Sequence, residues 1–178
     1  KVEGLKNLPK NTNFIVAANH TSFLDPLIVS AAIPQRIYWI TLRDVYNIFL
    51  LRGFMRMTDA VPTGLGSSEK AAHLLIRDKN IGMFPEGTRT ADGKLREFRR
   101  GTAVLATNTG RPVVPCAILG AYEAYPVRAS FPKFLPLKLK IGKPVYLLKE
   151  SDEIVDDIYL QEGIFKIRNI IKEMLHGG

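Results

Sequence analysis

The sequence predicts an α/β fold: a central mixed, largely parallel sheet flanked by helices on both faces. Three observations predict it. Strand-like and helix-like segments alternate along the chain. The leading strand-like segment is a continuous apolar run, as expected for a strand covered on both sides. The 178 residues, 46% of them hydrophobic, fit one domain over 1–178 with a real core and leave no room for a second.

Phe14-Ile15-Val16-Ala17-Ala18 lies between Asn11-Thr12-Asn13 and Asn19, and its β-branched, apolar make-up predicts a buried strand. Asp25-Pro26 then predicts a helix from Pro26 to Ile33, with Asp25 as N-cap, Pro26 in the first helical position and Pro34 ending it. His20 therefore falls on a short strand-to-helix turn. After a turn at Gly64-Leu65-Gly66-Ser67-Ser68, a helix extending to Lys79 is expected to carry Ala71, Ala72, Leu74, Leu75 and Ile76 on its apolar side. Ile81 to Phe84 predicts a strand that runs into a Pro85-Glu86-Gly87-Thr88-Arg89 loop. A helix over Gly101 to Asn108, stopped near Gly110, precedes strands at Val113 to Leu119 and Leu137 to Ile141. Apolar residues at Ile154, Ile158, Ile164, Ile167, Ile171 and Leu175, interrupted by Gly163, predict a terminal amphipathic helix or helix pair. In open α/β sheets, ligands bind beyond the carboxyl ends of the strands, where both His20 and Glu86 are expected.

The chain has one cysteine, which cannot form an internal disulfide, and three separated histidines without a metal-ligand spacing. A reducing compartment, no metal and no bound cofactor are the expectation. Cys116, inside an apolar strand, reads as core filler, and His73 and His176 as structural or solvated. The longest apolar runs fall far below the roughly 20 residues that cross a bilayer. The start at Lys1 rather than Met is compatible with a removed targeting or anchoring piece. Gly64-Leu65-Gly66-Ser67-Ser68-Glu69-Lys70 fits neither phosphate-loop pattern and is read as a turn.

A net charge of +8 favours acidic partners: anionic lipid surfaces, phosphate-bearing substrates, acidic carrier proteins or nucleic acid. Arg89, Lys94, Arg96, Arg99, Arg100 and Arg111 concentrate the excess beside the glycine-containing loop. Charge alone supports a nucleic-acid binder, and no recognised binding motif accompanies it. Residues 48–57 and 122–140 mix large apolar and basic side chains, and either stretch fits a bilayer interface or the core.

Two constellations carry chemistry. His20 sits on a turn with Asp25 five residues on, and a carboxylate bonded to one imidazole nitrogen leaves the other free to take a proton from an alcohol. Taken alone, the spacing also fits an Asp25 that only caps a helix. Phe84-Pro85-Glu86-Gly87-Thr88-Arg89 puts an acid, a glycine, a hydroxyl and a guanidinium on one loop, which suits an anionic headgroup or, equally simply, a turn with a Glu86–Arg89 ion pair.

Asn19-His20, Asp25-Pro26, the Phe84-to-Arg89 segment and Val114-Pro115, in that order, resemble the glycerolipid acyltransferases typified by 1-acylglycerol-3-phosphate acyltransferase. Gly93, Phe98 and Gly101 also match, and the resemblance runs from Gly4 to about Val145. It implies the glycerolipid acyltransferase type of sheet, His20 as base, Asp25 as its orienting partner, and Glu86, Gly87, Thr88 and Arg89 as the acceptor-binding loop. It implies a lysophospholipid acceptor, a thioester donor on acyl carrier protein or coenzyme A, and direct transfer without a covalent acyl-enzyme. The expected place is peripheral, at the cytoplasmic face of the cell membrane on an anionic surface. The family's second block usually ends in an arginine, whereas Gly53-Phe54-Met55-Arg56-Met57-Thr58-Asp59-Ala60 here ends in Ala60. Arg56 or the Arg99–Arg100 pair would then supply the missing charge, or the headgroup is not a bare phosphate. The alternatives are another lysophospholipid acceptor, or a lipid- or carrier-binding protein without turnover, against which the intact His20 and Asp25 argue.

Overall fold

The computed structural model describes residues 1–41, 53, 60–62, 64, 66–147 and 157–177. Among these residues seven strands form one sheet: β1 (Val2–Glu3), β2 (Ile15–Ala18), β3 (Ile37–Thr41), β4 (Val61–Pro62), β5 (Asn80–Met83), β6 (Val113–Leu119) and β7 (Lys138–Ile141). Their spatial order is β1-β7-β6-β2-β5-β3-β4. The β6–β7 pairing is antiparallel and every other one is parallel, so the sheet is mixed and largely parallel, as expected.

Side chains alternate across the sheet with the period of two that a pleated strand imposes. From β2, Val16 and Ala18 enter a core shared with Val29, Ile33 and Trp39, while Ile15 and Ala17 enter a second core with Leu75, Ala103 and Ile167. Both faces of β2 are thus buried, which is why the run shows no polar alternation. The first core is covered by α1 (Asp25–Ala32), the second by α2 (Ser67–Ile76), α3 (Gly101–Thr109) and α5 (Asp157–His176). A short helix, α4 (Ala121–Ala124), follows β6 and buries Ala121 in the first core.

Several expectations need correction. Helix α1 starts at Asp25, and its N-cap is Leu24, without a side-chain cap bond. Asp25 instead points its carboxylate back into the preceding turn. Helix α2 ends at Ile76 rather than running to Lys79, because Asp78 takes a left-handed φ of 57° and the Asn13 amide donates to the carbonyls of Leu75 and Lys79. Ile76 is 68% exposed, so the apolar side of α2 is narrower than its composition suggests. Gly163 does not break α5; it lets the helix approach Leu147, whose Cδ1 would lie 3.0 Å from an added Cβ. Ile154 and, apart from Gly53, the interface-like stretch 48–57 lie outside the described residues.

Strand β3 adds to the expected elements: its Ile-Tyr-Trp-Ile-Thr sequence is β-branched and aromatic, the make-up that strands favour. Pro115 is buried in β6 where β7 departs: the ladder pairs Cys116 to Leu119 with β7 and resumes at Val113 with Val145. A residue without an N–H is tolerated at such a break. Cys116 is buried, and burial pushes its thiol up to about 12, which suits core filler. His73 and His176 are exposed.

Gly82 in β5 is a close-approach position: an added Cβ would lie 2.6 Å from the Trp39 ring and 2.8 Å from Ile37 Cγ2. Gly82→Ala is therefore expected to destabilise the fold by roughly 1–3 kcal/mol through overpacking. Thermal unfolding checks this as a fall in Tm of several degrees.

Candidate active site

The site is built where β2 and β5 end side by side. Past Ala18, the Asn19 side chain continues the ladder as a peptide group would: its Nδ2 donates to Ile118 O at 3.0 Å, and its Oδ1 accepts from Ile118 N at 2.7 Å. The chain then turns, and His20 is clamped to the loop after β5. His20 N donates to Glu86 Oε1 at 2.7 Å, and His20 O accepts from Thr90 N at 2.9 Å. The backbone of the histidine is thus fixed before its ring is considered.

The ring is fixed twice more. His20 Nδ1 lies 2.9 Å from Asp25 Oδ2, and the same oxygen accepts from the backbone N–H groups of Thr21 and Ser22 at 2.7 Å each. Asp25 is 0% exposed, whereas the His20 side chain keeps 18% of its surface open. The imidazole also stacks on Phe84 at 3.9 Å between centroids, and Phe84 stacks on Trp39 at 4.8 Å, each pair within 11° of parallel. Trp39 is held in turn by a bond from its Nε1 to Ser30 Oγ on α1 at 2.9 Å. With Nδ1 on the carboxylate, Nε2 is the nitrogen left for a substrate hydroxyl.

The neighbouring loop holds the other expected residues. Glu86 has both oxygens occupied by the protein's own backbone, from His20 N and from Arg96 N at 3.0 Å. Burial pushes its carboxyl above the ordinary value while these two donors oppose the rise. It shapes the turn and makes neither an ion pair with Arg89 nor an open contact for a headgroup. Gly87 takes a φ of 74°, and Arg99 crosses its open face, since an added Cβ would meet Arg99 Nε at 2.7 Å. Thr88 is exposed beside it.

The Arg89 guanidinium lies 3.3 Å over the Phe23 ring, with one Nη atom buried and unpaired. Burial draws Arg89 below its ordinary value, opposed by the charge of Asp25, and an arginine so placed stays cationic. Arg56 lies outside the described residues. Ala60 is 8% exposed and packs in the same core as Trp39.

A cleft of about 510 Å³ adjoins the turn, lined by Asn19 and Thr21 together with Lys94 from the 93–95 loop and Arg168 and Lys172 from α5. Arg168 is already engaged, with Glu97 at 2.9 Å and with Arg96 O at 3.0 Å. Lys94 and Lys172 are the cleft's exposed lysines. Among the described residues no group of three or more His, Cys, Asp or Glu could hold a metal ion.

A histidine held by a buried carboxylate, a cationic loop beside it and a second basic cleft suit transfer of a group onto an alcohol. The family model described as Acyltransferase matches residues 1–119. The chain belongs to the Acyltransferase family. Within the family it is 29% identical over 165 residues to the chloroplastic 1-acyl-sn-glycerol-3-phosphate acyltransferase BAT2 of Brassica napus, covering 88% of this chain and 47% of that protein. It is 27% identical over 152 residues to the 1-acyl-sn-glycerol-3-phosphate acyltransferase of Bacillus subtilis, covering 82% and 73%. The chain therefore spans about half the length of the first of these relatives. The crystal structure of the 1-acyl-sn-glycerophosphate acyltransferase PlsC from Thermotoga maritima superposes with a TM-score of 0.80 at 27% identity, covering 97% of this chain and 70% of that one.

The sequence assigned roles to His20, Asp25 and the 86–89 loop; Asn19 and Phe84 stood in the motifs without a role, and Trp39 and Thr90 were not singled out. Phe84 carried a faint signal as the large apolar residue that closes a strand immediately before the loop. Asp25→Asn tests the turn directly. The amide oxygen replaces one acceptor, but its NH2 falls where buried Oδ1 has no partner, so a loss of about 1–3 kcal/mol in stability is expected, with a strong fall in turnover. Chemical denaturation and steady-state kinetics on the same preparation check both.

Proposed function

We propose that this chain transfers a fatty acyl group from an acyl carrier protein or acyl-CoA thioester to the free hydroxyl of 1-acylglycerol-3-phosphate, working peripherally at the cytoplasmic face of the cell membrane in phospholipid synthesis. The observation that carries the reading is the 2.9 Å contact between His20 Nδ1 and a fully buried Asp25. Nε2 takes the acceptor's hydroxyl proton as the oxygen attacks the thioester carbonyl carbon. Collapse of the tetrahedral adduct breaks the carbon–sulfur bond, and the departing thiolate takes the proton back from the imidazolium, giving a diacyl product and a free thiol. Asp25 stabilises the imidazolium and keeps Nδ1 as the donor. No enzyme nucleophile enters, which fits a buried Cys116 whose thiol burial pushes up to about 12.

Arg89 and Arg99 at Gly87 are the cations assigned to the acceptor phosphate. The phosphates of the donor's carrier arm are assigned to the cleft of Lys94 and Lys172, which begins at the residues flanking His20. With Ala60 facing the core, no cation comes from the end of the second block, and a lysophospholipid with a substituted headgroup is the competing acceptor.

Incubation with a panel of lysolipids and both labelled donors tests the reading. Diacylglycerol phosphate should be the main product. His20→Ala should lower turnover roughly a hundredfold or more, the scale of a lost general base. Arg89→Ala should raise the acceptor KM about tenfold or more while leaving the donor KM nearly unchanged, and Arg89→Lys should recover only part, since an ammonium lacks the guanidinium's paired donors. Preference for a substituted headgroup would select the competing acceptor, and absence of any acylated product would refute the assignment.

A further inference from the structure

We propose that the loop between α4 and β7, residues 126–137, is the surface by which this chain rests on an anionic lipid bilayer, with Phe131 and Phe134 inserted at the interface and Arg128 and Lys133 on the headgroups. This deepens the proposed function by naming the partner from which the acceptor reaches the site. Phe131 is 82% exposed and Phe134 fully exposed, with Val127 and Leu135 exposed beside them in sequence. Elsewhere the exposed large apolar side chains occur singly, as Ile76 and Tyr146, or two to a segment, as Val2 with Leu5 and Ile158 with Phe165, whereas this loop carries Val127, Phe131, Phe134 and Leu135. Single apolar residues are ordinary on a soluble surface, whereas a cluster on one loop marks a contact.

Charge selects the partner. No Asp or Glu occurs between Glu123 and Glu150, while Arg128 and Lys133 lie within the loop. Both are exposed and make no ion pair among the described residues. Aromatic side chains flanked by unpaired cations suit the headgroup layer of an anionic membrane. The segment is also held in place. Lys133 N donates to Ala124 O at 2.7 Å and Ala129 N to Pro126 O at 3.0 Å, while Pro126, Pro132 and Pro136 restrict the backbone. Residues 132–137 lie in no strand or helix, and apart from Lys133 N and Leu137 O, which are bonded to Ala124 O and the Lys1 amino group, their backbone polar groups are left to water, so insertion is confined to side chains at the interface. Among the described residues no helix is long and apolar enough to cross a membrane.

The loop is continuous with the acceptor side of the site. At its root, Tyr125 O accepts from Ser22 Oγ at 2.8 Å, and the Tyr125 ring lies 6.2 Å from Phe23, the ring under Arg89. A lysolipid drawn from the bilayer beside this loop would meet Phe23 and Arg89 next.

The test is flotation with vesicles of phosphatidylcholine, alone or mixed with phosphatidylglycerol. The wild-type chain should bind the anionic vesicles. The double variant Phe131→Ser with Phe134→Ser should lose about tenfold or more of that binding. Arg128→Gln with Lys133→Gln should lose the preference for phosphatidylglycerol and its sensitivity to salt. Both variants should keep the wild-type Tm and full transfer to a monomeric short-chain acceptor without vesicles. Equal vesicle binding by wild type and the Phe variant, or none by the wild type, would overturn the proposal. So would a wild-type dimer that the Phe variant breaks without change in vesicle binding. Flotation reads the loop even if no transferase activity is found.

Discussion

A single carboxylate oxygen organises the turn between His20 and Asp25. Asp25 Oδ2 accepts from the His20 imidazole and from two backbone N–H groups, in a position without solvent access. A buried charge is tolerated only when hydrogen bonds replace its hydration, and each donor here is a charge-oriented one. The chain between His20 and Asp25 is therefore bent into the one shape that brings all three donors to one atom. The first turn of α1 adds to this, since a negative charge is favoured at a helix amino end.

The sheet makes that turn repeatable. Parallel pairing of β2 with β5 and β6 brings residues from three distant parts of the chain to one edge. Asn19 ties the turn to β6, Glu86 and Thr90 tie it to the loop after β5, and Phe84 and Trp39 support the ring from below the same edge. Glu86 is a carboxylate used for architecture, whereas Asp25 is one used for orientation. The difference lies in their partners: Glu86 meets only backbone N–H groups, and Asp25 also meets the imidazole.

Much of the fold was legible because local signals agreed with the final packing. The Ile-Val-Ala-Ala run, Pro26 at the start of α1 and Gly110 with its left-handed φ each fixed an element near its true bounds. Asp25 as a cap was misleading, since an acid at a helix start can equally turn back to the preceding loop. Ile76 and Gly163 failed for a related reason: composition gives a face or a break, but the neighbours decide whether it is used. The paired β1 and β4, two residues each, were too short to leave a pattern. In the site, five-residue spacing revealed the His20–Asp25 pair. The Phe84 stack and the Glu86 clamp join residues some sixty positions apart, and such contacts exist only once β2 and β5 are paired.

The central claim is that Asp25 holds the His20 ring with Nδ1 as donor and Nε2 free to accept the substrate proton. Nitrogen-15 NMR of the histidine rings, at a pH where His20 is neutral, reads the tautomer without any substrate. The account predicts a proton on Nδ1 and a bare Nε2 for His20. A proton on Nε2 instead would leave no base facing the acceptor hydroxyl and would contradict it.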